Sequence, residues 1–442
     1  MRSIDFRAQP AASADAAADL SPLRIPHRTH RLDNGLRVVV SEERSCPLVA
    51  VHLMIHTGSR NETPGRTGLA HLLEHLLFEG TEHCPKGGFD RLLEEVGGAA
   101  NGSTWWDRTN YFETVPSHAV ERALWLERER MLHFLPVLDD ETLAIQRGVV
   151  LNERREVYDN RPYGMAEERL QHALFPEGHP YRHPTIGYAE DIAALDRNDA
   201  ERFFRQWYTP SHSVLVIAGD IDPDKAVDLA DRYLGDWEEG DGAPPPSAPP
   251  TAPAGSPVVD EMGDRVSFPR IYLGWRVPSY GTHDWAALDV LGYLLSDGET
   301  SRLRRRLVRD ERLAQNVDAY LYPTEMEGLF GITTTARAAV DPELLERATR
   351  ETIAEVARGV SEAEVAGAVR RARRDQIESI ATVEDRAEAL AYATTVLGEA
   401  AGLDRALEHY RRVTADDLTR VAAEYLAEGG ASVRIVPEGA GR

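Results

Sequence analysis

Three residues in one short segment could together bind a metal ion and move a proton. His71 and His75 stand four positions apart, and Glu74 lies directly before the second histidine. Residues four apart face the same side of a helix, so both imidazoles could bind one ion. Zinc prefers nitrogen and carboxylate ligands, and Glu74 would be near enough to accept a proton from a water molecule beside the ion. The order His-x-x-Glu-His therefore predicts a zinc site that performs hydrolysis.

The elements around this motif would have to form a helix and supply one more ligand. Apolar residues recur with helical spacing from about Arg66 to Glu79, with Pro64 near the start and Gly80 at the end, and these are helix start and stop signals. A catalytic zinc usually has three protein ligands and one open position. Spacing alone leaves four glutamates open as the third ligand: Glu127, Glu129, Glu153 and Glu156.

The composition excludes several classes of protein. The 442 residues suffice for two or three domains, and a hydrophobic content of 42% with 28% charged residues is ordinary for a globular protein. The 50 basic and 73 acidic residues give a net charge of −23, which disfavours binding to nucleic acids or to anionic membranes. An acidic cleft would favour basic residues in a ligand.

Cysteine content and hydropathy point to a cytoplasmic protein. Cys46 and Cys84 are the only cysteines, too few for a disulfide framework. The sequence has no apolar stretch long enough to span a membrane. The N-terminal residues lack the apolar core of a secretory signal and contain acidic residues that transit peptides avoid. We expect residues 1–24 to form a disordered tail.

The chain divides into two related halves. A Pro-, Ala- and Gly-rich stretch predicts a linker over residues 238–262, between a domain over 25–237 and another over 263–442. Each half runs from alternating strands through a helix, a further strand pair and long helices to a final apolar strand. This order predicts an α+β fold of two homologous domains, each a mostly antiparallel sheet covered by helices.

Several motifs, in the order in which they occur along the chain, resemble those of a known family. They are His71-x-x-Glu74-His75, Phe78-Glu79-Gly80-Thr81, Gly97-Gly98-x-x-Asn101 with Thr104, Asp107, Thr109 and Tyr111, Val149-Val150-Leu151-x-Glu153, His179-Pro180-Tyr181, Pro184-Thr185-x-Gly187, Tyr208-x-Pro210 and Ala218-Gly219-Asp220. The chain resembles the insulinase/pitrilysin (inverzincin) metallopeptidases, and it is most similar to the bacterial relatives of mitochondrial processing peptidase.

The resemblance implies a complete catalytic arrangement. One zinc ion per chain would be bound by His71, His75 and Glu153, with Glu74 as general base. The domains would face each other as a clamshell around a closed chamber. A peptide substrate would add as a strand along Asn101, Gly102, Ser103 and Thr104, a form of β-augmentation.

Three positions depart from the family pattern. Gln146 stands where the family often has a glutamate that assists the site. In the second half, Asp289, Gly292 and Tyr293 replace the zinc motif, so no second zinc is expected there. The family's substrate-binding arginine matches Arg309, but Gln315 replaces its tyrosine. The resemblance therefore implies a zinc-less homologous subunit that supplies an Arg/Tyr pair.

The sequence favours a zinc-dependent endopeptidase that cleaves peptides or short unfolded segments. Two alternatives stay open: a maturation protease that removes the leader of one peptide, and a non-catalytic scaffold subunit of the same fold. The presence of His71, Glu74, His75 and Glu153 together argues against the scaffold.

Overall fold

The computed structural model describes residues 23–240 and 258–439. Residues 1–22 of the expected tail and residues 241–257 of the expected linker lie outside these ranges. In the described part, helices and strands alternate as an α+β fold, and each half contains one sheet. The predicted fold class is confirmed.

The first half holds six strands and eight α-helices among its described residues. The strands are β1 (Arg28–Arg31), β2 (Arg37–Glu42), β3 (Leu48–Ile55), β4 (Ala99–Thr104), β5 (Thr109–Pro116) and β6 (Ser213–Gly219). The helices are α1 (Leu69–Leu76), α2 (Gly88–Glu94), α3 (Val120–Leu132), α4 (Asp140–Arg154), α5 (Ala166–Leu174), α6 (Ala189–Ala194), α7 (Arg197–Trp207) and α8 (Pro223–Leu234).

The second half has five strands and six α-helices in its described part. The strands are β7 (Val258–Asp264), β8 (Arg270–Val277), β9 (Ala314–Tyr322), β10 (Gly328–Ala336) and β11 (Ala431–Pro437). The helices are α9 (His283–Ser296), α10 (Pro342–Val356), α11 (Glu362–Glu378), α12 (Val383–Val396), α13 (Gly402–Arg411) and α14 (Ala415–Val421).

The two sheets have the same topology. The first runs β1-β2-β6-β3-β5-β4 and the second β7-β11-β8-β10-β9, so the second repeats the first without its outermost strand. In each sheet the first and last strands of the repeat pair in parallel, β2 with β6 and β7 with β11, and the other pairs are antiparallel. This shared strand order supports the sequence-based interpretation of a duplicated unit.

Each half contributes a helix to the sheet of the other half. Helix α12 packs on β3 and β6, where Leu390 and Ala391 join a core with Val39, Met54 and Val216. Helix α5 packs in turn on β11, β8 and β7. One apolar face of each sheet is therefore buried by a helix from the other half, and the two halves share their cores.

The predicted linker ends too late. Val258–Asp264 is strand β7, which pairs with β11 along its whole length. The strand lies at the edge of the sheet and its side chains are mostly exposed or half-buried, so its sequence lacks the apolar run of a central strand. None of the described helices is long and apolar enough to cross a membrane.

Candidate metal centre

Helix α1 carries the two histidines and begins later than its sequence predicts. Gly68 precedes it in the left-handed region at φ 85°, where glycine avoids the strain of a side chain. The buried carboxylate of Glu62 accepts hydrogen bonds from the backbone N–H groups of Gly68 and Ala70, at 2.9 and 2.8 Å. A carboxylate at this end also complements the helix dipole. These two residues fix the start of the helix and hence the positions of the histidines.

The three predicted ligands converge, although Glu153 is far from the two histidines in the sequence. Glu153 Oε2 lies 3.8 Å from Nε2 of His71 and 3.5 Å from Nε2 of His75. The two imidazole rings stand edge to face, with centroids 4.7 Å apart. Donor atoms of a tetrahedral zinc site are separated by roughly 3.4 Å, given bond lengths of about 2.0–2.2 Å. The arrangement therefore fits one zinc ion with little adjustment.

The structure also decides among the glutamates that spacing leaves open. Glu127 and Glu129 lie in α3 and bind Arg130 and Thr81, respectively. Glu153 lies in the last turn of α4, directly before a π-helical turn over residues 155–159 that contains Glu156. Such turns occur frequently at functional sites. Among these four, only Glu153 belongs to the metal-binding group that includes His71 and His75.

The electrostatics of the group favour the metal-binding protonation state for His71 and Glu153, but not for His75. Burial and the neighbouring charge of His75 lower the pKa of His71 to about 4. The hydrogen bond from His75 lowers the pKa of Glu153. Burial alone would lower the pKa of His75, but its hydrogen bond to Glu153 and the nearby carboxylates raise it. His71 is therefore neutral and Glu153 ionised near neutral pH, as metal ligands must be.

Glu74 points to the edge strand of the first sheet. The hydroxyl of Thr104, the last residue of β4, donates a hydrogen bond of 2.5 Å to Glu74 Oε2. Burial raises the pKa of Glu74, and this hydrogen bond opposes the rise. A carboxylate with a raised pKa is better matched to proton transfer at neutral pH.

Strand β4 contains the four predicted substrate contacts and has an open edge. It pairs with β5 on one side and ends the sheet on the other. Asn101 is exposed, and Gly102 to Thr104 are half-buried. Thr104 therefore lies beside Glu74, and Asn101, Gly102 and Ser103 precede it on the same strand edge, which can accept another strand.

A buried polar network that sequence reasoning missed holds this edge strand. Arg108 donates to the Ser103 carbonyl at 2.8 Å, and Asn110 Oδ1 accepts from the Ser103 N–H at 3.0 Å. The Asn110 side-chain amide in turn donates to His52 at 3.1 Å. Burial lowers the pKa of both His52 and Arg108. Asn110 and Arg108 lie near the quoted motifs, but no local pattern in the sequence indicated His52.

The remaining predicted site residues occupy different surroundings. Gln146 is buried, and its side chain contributes to the raised pKa of His75. Arg309 lies in a π-helical turn over residues 304–310, is exposed and pairs with the adjacent Asp310. Its described contacts do not reach β4 or the three ligands, so the single chain does not place Arg309 at the site. Gln315 bonds to the carbonyl of Ala336.

The second half contains an acidic counterpart of the site. Asp289 and Tyr293 lie on α9. Asp289 accepts a hydrogen bond from the hydroxyl of Tyr410 on α13 at 2.7 Å. The hydroxyl of Tyr293 donates to Asp375 of α11 at 2.8 Å. In the order of elements, α9 and α11 correspond to α1 and α4, and Glu153 and Asp375 are each the fourteenth residue of their helix.

Comparisons with known proteins show the family to which the chain is related. Residues 37–186 match the sequence profile of the insulinase family, peptidase family M16, and residues 194–372 match that of the M16 inactive domain. A zinc protease, PqqE, from Helicobacter pylori is 30% identical over 406 residues, 91% of this chain and 90% of that protein. An uncharacterised zinc protease from Streptomyces coelicolor is 27% identical over 409 residues, 90% of this chain and 87% of that protein.

A solved structure has a fold similar to that of this chain. The crystal structure of a protease from Helicobacter pylori matches with a TM-score of 0.87 at 27% identity, covering 93% of this chain and 99% of that chain. The fold and the relatives place the chain in a family of metalloproteases. The chain belongs to the insulinase family, peptidase family M16, which confirms the family predicted from the motifs.

Proposed function

We propose that the protein is a zinc-dependent endopeptidase that cleaves peptides or short unfolded segments. The observation that carries this proposal is the convergence of His71, His75 and Glu153 with Glu74 beside them, at the end of an open strand edge. A non-catalytic scaffold subunit would not need all four groups in this geometry.

His71, His75 and Glu153 would hold one zinc ion, and Glu74 would serve as the base. Bound zinc would supply Lewis acidity that polarises the scissile carbonyl and makes water more acidic. Glu74 would take a proton from the attacking water and deliver it to the leaving amine. Thr104 holds Glu74 through Oε2, which leaves the other carboxylate oxygen for the proton.

The substrate would bind in an extended form along β4. Backbone groups on the open edge of a strand pair with any extended peptide, so this mode recognises an unfolded segment rather than a folded surface. Thr104 ends the strand and contacts Glu74. A peptide paired with β4 would therefore pass directly by the catalytic base.

A second homologous chain would complete the site. Ile145 and Val149 lie about two turns and one turn before Glu153 on α4, and they are 47% and 42% exposed, respectively. Exposed apolar side chains in a row are typical of a surface that another protein covers. We propose that a zinc-less homologue covers this face, encloses the chamber and supplies the Arg/Tyr pair that Arg309 and Gln315 do not provide here.

Replacement of the base tests the proposed activity. Glu74→Gln keeps the side-chain shape but removes the proton acceptor, so we expect unchanged zinc content and a loss of peptide cleavage by about 100-fold or more. Zinc content and cleavage of an unstructured peptide would be measured with and without a co-expressed homologue. Glu94→Gln, an exposed residue of α2, is the matched control. Equal turnover of the Glu74 variant and the wild type would exclude Glu74 as the base.

A further inference from the structure

A second group of potential metal ligands lies outside the site described above. Glu82 and His83 belong to the loop after α1, and His133 directly follows the last residue of α3. Each offers one ligand atom, and these atoms all lie within 4.8 Å of one another. The group shares no residue with His71, His75 and Glu153. We propose that Glu82, His83 and His133 form a peripheral binding site for a transition-metal ion of the zinc class.

The positions of the side chains suit a shared ion. The imidazole rings of His83 and His133 stand edge to face, with centroids 4.6 Å apart. Glu82 Oε2 lies 3.4 Å from Nδ1 of His133. This separation matches the roughly 3.4 Å expected between donor atoms around a tetrahedral ion. Two imidazoles and a carboxylate are also the ligand types that zinc, cobalt and nickel accept.

A buried carboxylate orients one of the histidines. The side chain of Glu129 is only 3% exposed, and its Oε1 lies 3.1 Å from Nδ1 of His83. Its other oxygen accepts a hydrogen bond from the Thr81 hydroxyl at 2.5 Å. A histidine that donates Nδ1–H to a carboxylate keeps Nε2 as the free ligand atom, an arrangement typical of metal-binding histidines.

Charge and access also favour a divalent ion. Two carboxylates, Glu82 and Glu129, lie beside the two imidazoles, and carboxylate oxygens are ligands that divalent ions accept. The side chains of His83 and Glu82 are 54% and 53% exposed, so an ion can enter from solvent. Binding would tie the loop after the zinc-binding helix to the end of α3.

Metal stoichiometry of the full chain tests this site separately from the proposed function. Tag-free protein would be freed of metal with a chelator and titrated with Co²⁺, followed by visible absorption. We expect two bound ions for the wild type, one for His83→Ala/His133→Ala, one for His71→Ala/His75→Ala and none for the variant that combines all four changes.

The possible failures are distinguishable. The peripheral site is excluded if His71→Ala/His75→Ala binds no ion. It is also excluded if His83→Ala/His133→Ala still binds two ions. Neither result affects the proposed peptidase site. If the only ion bound by the wild type is lost in His83→Ala/His133→Ala and kept in His71→Ala/His75→Ala, the peripheral site stands and the proposed zinc peptidase fails.

Two further measurements distinguish the loss of metal ligands from misfolding of the variants. In the His71→Ala/His75→Ala background, Co²⁺ should raise the melting temperature, because an ion that binds only the folded state stabilises it. Glu82→Gln should weaken Co²⁺ binding by roughly tenfold or more, while Glu94→Gln on α2 should leave it unchanged. Equal Co²⁺ affinity in Glu82→Gln and the control would overturn the assignment.

Discussion

Among single residues, the contact between Thr104 and Glu74 links strand β4 to the proposed catalytic base. The sequence predicts Thr104 as a substrate contact, and the structure adds its 2.5 Å hydrogen bond to Glu74. This bond uses the side-chain hydroxyl and leaves the backbone of β4 free to pair. Under the proposed function, Thr104 would therefore both position the base and contact a peptide.

Thr104→Val should separate these two roles, since valine has nearly the same shape without the hydroxyl. A hydrogen bond to a charged group contributes about 1.5–3 kcal/mol. We expect kcat to fall roughly 10- to 100-fold, with KM nearly unchanged, in steady-state cleavage of an unstructured peptide. Thr104→Ser keeps the hydroxyl and should restore most of kcat. A higher KM with normal kcat would indicate a substrate contact alone.

His52 should make the free energy of unfolding dependent on pH. Burial lowers the pKa of His52 from 6.5 to about 3, so the folded protein keeps this residue neutral. Between these values the unfolded chain binds a proton that the folded protein does not, and stability falls as the pH falls. The loss is about 1.4 kcal/mol per pH unit below the ordinary histidine pKa of about 6.5.

Urea unfolding of wild type and His52→Gln at about pH 5 and pH 7 would measure this contribution. We expect the variant to lose about 2 kcal/mol less than the wild type between these conditions. Equal losses in both proteins would show that His52 is not kept neutral by the fold.

Among the helices and strands, the start of α1 decides where both histidines lie. A Cβ at Gly68 would lie 2.5 Å from the carbonyl oxygen of Ile186, and its φ of 85° is unfavourable for other residues. Gly87 before α2 has a similar φ of 72°, but a Cβ at this position would have nothing within 4 Å. The two positions therefore differ mainly in whether an added Cβ would clash with a neighbouring backbone atom.

Gly68→Ala and Gly87→Ala form a matched pair. The left-handed conformation alone should cost about 1–3 kcal/mol in each. Gly68→Ala should destabilise the protein further and lower its zinc content, because the clash shifts α1. Urea unfolding and metal analysis would detect the difference, and equal effects would indicate that the start of α1 tolerates displacement.

For the molecule as a whole, the exchange of α5 and α12 makes each half depend on the other. Without α12, the first sheet would expose the apolar side chains of Val39, Met54 and Val216. Exposed apolar surface of this kind leads to aggregation. The division at residues 238–262 is thus visible in the sequence but does not separate two self-sufficient cores.

Fragments 23–240 and 258–439 should therefore be insoluble or partly folded when expressed alone, and should form a soluble complex when co-expressed. Leu390→Asp in α12 should abolish complex formation because Leu390 is fully buried, whereas Glu388→Gln on the exposed side of the helix should not. Size-exclusion chromatography and circular dichroism would measure these outcomes. A monomeric, folded fragment 23–240 would contradict the shared-core interpretation.

The local features of this protein could be predicted from its amino-acid sequence. Helical spacing placed His71 and His75 on one face, alternation predicted the central strands, and repeated element order predicted the duplicated fold. These features follow from periodicities of a few residues, so neighbouring positions suffice to define them.

The meeting of distant groups, in contrast, depended on how the chain packs in three dimensions. Spacing could not choose Glu153, and no local pattern indicated that Glu62 caps α1 or that α12 covers the first sheet. Such contacts arise when whole elements pack, because burying apolar faces brings together residues that no short-range periodicity relates. The same packing placed His83 beside His133 and created the peripheral ligand group.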